Sequence, residues 1–358
     1  MTANGCVVIT AIGMSTPVGL TAAQSCAAIR AGISAIADLD FTVEVDLVER
    51  VAVPGCTVPS VTQGYSGLGR AMRLATAAIR DLSTNAGLRP ADLKTASLHL
   101  AVGSPTRGNF DSRVTTMLGQ RLANSLDADG LESRTRSCAE GHAAGAIAVR
   151  EALEFVRGGV SERAIVCGVD SLVEPDTLQF YHDKRRVKTA DHVDGFIPGE
   201  AAACILLERD SMARRRGTRA LAVVEAPSVA REPVTIWSDE PSSATGLSEA
   251  IQGTFEQLSD AGRDTRLVIG DLNGETYRAK EFGNAAARVL SAIPAALPTW
   301  HVADCLGDTG GAAFTISMCL GAQALAKGYA KSDRILVFGA SDDGLRGAVS
   351  LRRFSGEV

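Results

Sequence analysis

Cys138 stands in Arg136-Ser137-Cys138-Ala139-Glu140-Gly141-His142, just ahead of the small apolar residues Ala143, Ala144, Ala146, Ile147 and Ala148. That run predicts a helix over 139–156, buried on most sides. A thiol where such a helix begins meets unpaired N–H groups and the positive end of the helix dipole. Both favour the thiolate, which is the nucleophilic form. The same N–H groups could hold an oxyanion developing on a thioester carbonyl. A cysteine that only packs is the alternative, and the local sequence leaves it open. His142 falls one turn beyond Cys138 on the same predicted helix face. It is a candidate base, and a satisfied core histidine is the competing reading. His301 leads into the segment ending at Asp308 and is a second candidate, while His182 and His192 lie in a polar stretch and read as surface residues.

Several apolar runs must position these groups. Cys6–Gly13, Ser97–Gly103, Ala164–Gly168 and Ala202–Leu207 read as strands, with helices predicted over 21–31 and 69–86. The second part repeats the pattern, with strands at 220–224, 266–270 and 334–339 and helices at 247–258 and 311–326. Gly168 and Gly339 lie 171 positions apart, Cys138 and Asp308 lie 170 apart, and Gly103 and Gly270 lie 167 apart. Near-equal offsets point to an internally duplicated α/β unit, with chance recurrence as the alternative. Continuous apolar strands alternating with helices predict mostly parallel sheets covered on both faces. The polar Arg214-Arg215-Arg216-Gly217 marks a boundary, giving units 1–217 and 218–358.

The net charge of −5 argues against non-specific nucleic-acid binding, which needs a basic surface. Eight scattered cysteines, with no C-x-x-C pair, read as free thiols in a reducing cytoplasm, with no metal site. No apolar run is long enough to predict a membrane span or a signal segment.

The chain resembles the β-ketoacyl synthases of the thiolase superfamily. The resemblance rests on Val7-Val8-Ile9-Thr10, on Pro17-Val18-Gly19, on Arg70–Leu88, on Ser137-Cys138-Ala139 with Gly141, and on Cys167-Gly168-Val169-Asp170-Ser171. Its most specific part is Asp194-Gly195-Phe196-Ile197-Pro198-Gly199-Glu200-Ala201-Ala202, similar to the family's D-G-F-x-x-G-E-G-A. It implies a thiolase-like five-layered α-β-α-β-α fold with internal duplication. The substrate implied is acyl-CoA or an acyl group on acyl carrier protein, with no cofactor. The implied partners are acyl carrier protein and a second subunit, in a homodimer or in a heterodimer with another ketosynthase. Lys184-Arg185-Arg186-Val187-Lys188 and Arg214-Arg215-Arg216 are candidates for steering an acidic carrier, against the alternative of solvated charge runs.

The departures lie in the second half. The family's two catalytic histidines align with Asn273 and Asp308, and its glycine-rich loop appears as Phe338-Gly339-Ala340-Ser341-Asp342-Asp343. Glu200 is retained, and Gly339 and Ala340 are read with it as supporting residues. Asn273 can still donate through its amide, whereas an ionised Asp308 only accepts and would repel an enolate. Loss of one oxyanion donor costs on the order of 10²–10³ in rate, so decarboxylative condensation is expected to be impaired. Three functions compete. The first is acyl transfer on Cys138, with Asp308 as general base if burial raises its pKa. The second is a non-catalytic partner similar to chain-length-factor subunits, which usually lack the cysteine. The third is thioester hydrolysis using His142 or His301.

Overall fold

The computed structural model describes residues 6–44, 50–190, 192–260, 262–293 and 297–355. The first half runs β1 (Val7–Ser15), α1 (Ala22–Arg30), β2 (Ala37–Glu44), β3 (Arg50–Gly55), α2 (Pro59–Thr62), α3 (Gly67–Ala86) and α4 (Pro90–Leu93). It continues with β4 (Ser97–Ala101), α5 (Arg113–Ser125), β5 (Thr135–Cys138), α6 (Ala144–Gly158), β6 (Arg163–Ser171), α7 (Pro175–Asp183), β7 (Glu200–Arg209) and α8 (Asp210–Arg215). The second half runs β8 (Ala222–Arg231), α9 (Thr245–Glu256), β9 (Thr265–Gly270), α10 (Thr276–Val289), β10 (Thr299–His301), α11 (Ala303–Leu306), α12 (Ala313–Lys327), β11 (Arg334–Ala340) and β12 (Leu345–Arg352).

Local chemistry sets the element ends. Thr21 caps α1 by accepting the Gln24 N–H at 3.3 Å. α3 stops at Gly87, whose left-handed backbone (φ 63°) lets its N–H and that of Leu88 close on carbonyls of the last turn. Leu74, Ala75, Ala78, Ile79 and Leu82 form its buried stripe, as the helical spacing predicts.

The duplication appears in the topology. The ten-stranded sheet has the order β10-β9-β11-β12-β8-β1-β7-β6-β4-β5. Counted from the centre outward, β1-β7-β6-β4-β5 and β8-β12-β11-β9-β10 are the same sequence of strands. The two halves meet in a short antiparallel seam, Val8 against Val223 and Ile9 against Ala222. α6 and α12 each pack against strands of both halves, while α3 and α5 cover one outer face and α9 and α10 the other. Five layers result. β7 shows why both its faces are apolar: Ala201, Ala203, Ile205 and Leu207 join the central core, while Ala202, Cys204 and Leu206 face the α3 layer.

Two expectations fail. The sheet is mixed, not mostly parallel. β4 pairs parallel with β5 and β6, and β9 with β10 and β11, but β7 runs antiparallel to β1 and β6, and β12 to β8 and β11. Only four residues separate β11 from β12, too few for a parallel crossover. The helix predicted from 139 begins at Ala144, after a single 3₁₀ turn over Gly141–Ala143. Gly141, with φ 71°, makes the bend that separates Cys138 from it. The β2–β3 hairpin and α10 were not anticipated.

Candidate active site

Cys138 is the last residue of β5, opposite Ala101 of β4, and its carbonyl accepts the Val102 N–H at 2.9 Å. It therefore does not cap the helix as expected. The half-buried thiol is pushed up from an ordinary 9.0 to about 12, by burial first and then by Glu140 and Glu151. At neutral pH it is a thiol rather than a thiolate. Among the described residues, no hydrogen bond links its sulfur to His142, Asn273 or Asp308.

Those three residues do converge, on each other. His142 Nε2 lies 2.7 Å from Asp308 Oδ1, and Asn273 Nδ2 donates to Asp308 Oδ2 at 2.6 Å. The Gly310 N–H donates to Asp308 Oδ1 at 2.9 Å. Asn273 also donates to Glu275 Oε2 at 2.9 Å and accepts the Glu275 N–H at 3.1 Å, so its amide is committed on every side. Burial pushes the Asp308 carboxyl up, but His142, Arg278 and Asn273 together hold it well below the usual carboxylate range. This reverses the expectation that burial would raise it into use as a general base. Burial also opposes an imidazolium at His142, yet Asp308 outweighs it and raises its pKa, with Arg278 acting against. His142 Nδ1 faces Arg278 Nη2 at 3.3 Å, so both ring nitrogens point to protein groups other than the thiol.

The supporting residues have structural work of their own. Glu200, fully buried, accepts from Arg70 Nε at 2.5 Å, Thr62 Oγ1 at 2.8 Å and the Val58 N–H at 2.8 Å, which ties α2 and α3 to β7. A Cβ on Gly339 would stand 3.0 Å from the Phe314 ring and 3.2 Å from the His142 carbonyl, so β11 needs glycine to approach the 3₁₀ turn. The Ala340 N–H donates to Asp271 at 2.7 Å, and its carbonyl accepts from Arg278. His301 is not in the cluster. It ends β10 at the edge of the sheet and lines a separate hollow of about 310 Å³ with Arg30, Trp300 and Cys305. Its Nδ1 has no hydrogen-bond partner among the described residues.

The centre of the cluster escaped the sequence reading. Arg278 Nη2 donates to Asp342 Oδ1 at 2.8 Å, and its Nη1 lies 3.3 Å from Asp271. Arg186 grips Glu275 with two bonds, at 2.7 and 2.8 Å, and donates to Asp342 Oδ2 at 2.7 Å. Arg186 is thus buried and paired, not part of a solvated basic run, whereas Lys184 and Arg185 beside it are exposed. The signal was present as two departures of one kind. By the resemblance, Asp308 stands at an imidazole position and Asp342 in the lost half of a glycine-rich loop, and buried carboxylates require buried cations.

A cleft of about 670 Å³ opens outside this network, with Arg186 and Glu275 in its wall and Lys184, Arg185, Trp237, Tyr277 and Asp343 around it. His192, expected at the surface, is half-buried in the same wall. Asp343 accepts from both Ser104 and Thr106 at 2.5 Å.

The family model described as the β-ketoacyl synthase N-terminal domain matches residues 5–213. The tetracenomycin polyketide synthase ketoacyl synthase alpha subunit of Streptomyces glaucescens is 24% identical over 233 residues, 61% of this chain and 53% of that one. The pikromycin polyketide synthase component PikAIII of Streptomyces venezuelae is 28% identical over 215 residues, 53% of this chain but 13% of that one. The chain thus spans about half or less of these curated relatives. In fold it is similar to a type II ketosynthase solved with its acyl-carrier protein (TM-score 0.81, 15% identity, covering 98% of this chain and 100% of that one). It is also similar to the ishigamide ketosynthase/chain length factor (TM-score 0.78, 19% identity, 99% and 100%). No helix among the described residues is long and apolar enough to cross a membrane.

Proposed function

The chain belongs to the β-ketoacyl synthase family, and from that premise we propose that it is a non-condensing, ketosynthase-like partner in acyl-thioester metabolism of the polyketide type. One observation carries this reading. Asp308, at the position of a catalytic imidazole, is closed into hydrogen bonds with His142, Asn273 and Gly310, and among the described residues none of His142, Asn273 and Asp308 is hydrogen-bonded to the Cys138 sulfur. Condensation needs donors aimed at the forming enolate oxygen. Here the amide of Asn273 is already committed, and Asp308 contributes a negative charge in its place.

As a partner, the chain pairs with a condensing ketosynthase and meets acyl carrier protein at the cleft bordered by Lys184 and Arg185. An acidic carrier would be steered by those exposed cations. The relative solved as a ketosynthase/chain length factor and the one solved with its acyl-carrier protein support that choice of partners. A second reading, acyl transfer through Cys138, is favoured by the thiol being retained and only half-buried. Hydrolysis is disfavoured, because His142 is turned to Asp308 and Arg278 and His301 lies in another hollow.

The test is intact mass after incubation with acyl-CoA and with acyl carrier protein, alongside carbon dioxide release from a malonyl thioester. The expected outcome is release at background and no adduct at millimolar donor. An adduct lost in Cys138→Ala would replace this reading by acyl transfer. Brisk carbon dioxide release would overturn both.

A further inference from the structure

A hollow of about 210 Å³ lies between the start of α3, the start of α7 and the segment after β4. Neither Cys138 nor His142, Asn273, Arg278 or Asp308 lines it. Arg107 enters it with a side chain nine-tenths buried. Its Nη1 pairs with Asp170 Oδ1 at 2.7 Å, and its guanidinium lies over the Phe110 ring at 5.3 Å. Its Nε is buried and has no acceptor among the described residues. A buried N–H of a charged group left unfilled is destabilising, and a ligand oxygen would relieve it.

The rest of the lining sets the charge of that ligand. Asp111, Asp170, Glu174 and Asp176 face the same hollow. Three of them already have duties. Asp111 accepts the Leu68 N–H at 2.9 Å at the start of α3 and pairs with Arg113 at 2.8 Å. Asp170 holds Arg107 and accepts the Gly311 N–H at 2.9 Å. Glu174 accepts the Gly67 N–H at 2.8 Å through Oε2, while its Oε1 has no donor among the described residues. Asp176 is exposed. Arg113 offsets Asp111 and Arg107 offsets Asp170, which leaves Glu174 and Asp176 as the carboxylates of the hollow without an ion pair among the described residues. A simple anion is repelled, and a simple cation leaves Arg107 unfilled.

We propose that this hollow is a binding site for a small primary amine that also carries an oxygen acceptor, such as an amino alcohol. The ammonium lies toward Glu174 and Asp176, and the oxygen accepts from Arg107. The site is independent of the thioester reading, so Cys138→Ala leaves it unchanged.

The test is a titration of the full chain followed by protein NMR, using ethanolamine, ethylamine and acetate as probes. Ethanolamine is expected to saturate. Ethylamine, which lacks the oxygen, binds about tenfold more weakly, the worth of one hydrogen bond to a charged group. Acetate gives no saturable shift. Arg107→Lys brings ethanolamine down to the affinity of ethylamine. Asp176→Asn changes an exposed residue, leaves the fold intact, and weakens both amines severalfold. Saturation by acetate, equal affinity for the two amines, or a non-saturating response to ethanolamine would each overturn the proposal.

Discussion

The Cys138 thiol offers the most direct test of the proposal that this site does not condense. Burial, Glu140 and Glu151 move its pKa from 9.0 to about 12. At neutral pH that lowers the thiolate population by about a thousandfold. A more basic thiolate is also a better nucleophile, with a Brønsted coefficient of about 0.4–0.5, which returns about 15- to 30-fold. The net expectation is disulfide exchange about 50-fold slower than for an ordinary thiol. Exchange with Ellman's reagent under native conditions measures this, taking the difference between the protein and Cys138→Ser. Cys6, which is exposed, supplies the fast background and cancels in the difference. The Cys138 rate should climb about tenfold per pH unit through pH 10 without levelling. A plateau below pH 8, or a neutral-pH rate equal to that of a free thiol, would refute the argument. It would mean that some group near the sulfur stabilises the thiolate, as an active nucleophile requires.

Other predictions concern the buried network. Arg278→Met leaves Asp342 and Glu275 with Arg186 but strips Asp271 of its cation. It should cost about 3–5 kcal/mol, read as a shifted urea midpoint at unchanged slope. Adding Asp271→Asn should recover at least about 1 kcal/mol; strict additivity would mean the two do not interact. The His142–Asp308 pair makes stability pH-dependent on both sides. Asp308, depressed, contributes above its unfolded 3.8, and the contribution is lost as pH falls through its folded value. His142, raised, contributes below its unfolded 6.5, and the contribution is lost as pH rises through its folded value. Both are present between these unfolded values, so the urea midpoint should decline from pH 6 toward 9, and Asp308→Asn should abolish that decline. Gly339→Val should cost about 1–3 kcal/mol by forcing the His142 turn away from β11, which thermal unfolding would register.

The duplicated α/β architecture was readable because it depends on local periodicity, whereas the thiol, expected at a helix start, sits at the end of a strand that periodicity did not show. Cys6–Gly13 is a nearly continuous apolar run and α3 carries an apolar stripe at helical spacing, and both are visible in neighbouring residues alone. Family motifs also named Asn273 and Asp308 as the two exchanged positions. What the chain order alone could not settle was the partner of each charge. Arg278 and Arg186 look like ordinary surface cations in sequence, and Asp342 looks like a loop residue. Only the fold brings α10, the segment after α7 and the turn after β11 to one place, where low dielectric forces each carboxylate to find a cation. The same holds for the thiol. A glycine bend of one residue leaves Cys138 at a strand end instead of a helix terminus, where burial first and then Glu140 and Glu151 raise its pKa. Local patterns fix which faces are apolar, but electrostatics depends on distances between residues far apart in the chain, and those exist only once the layers close.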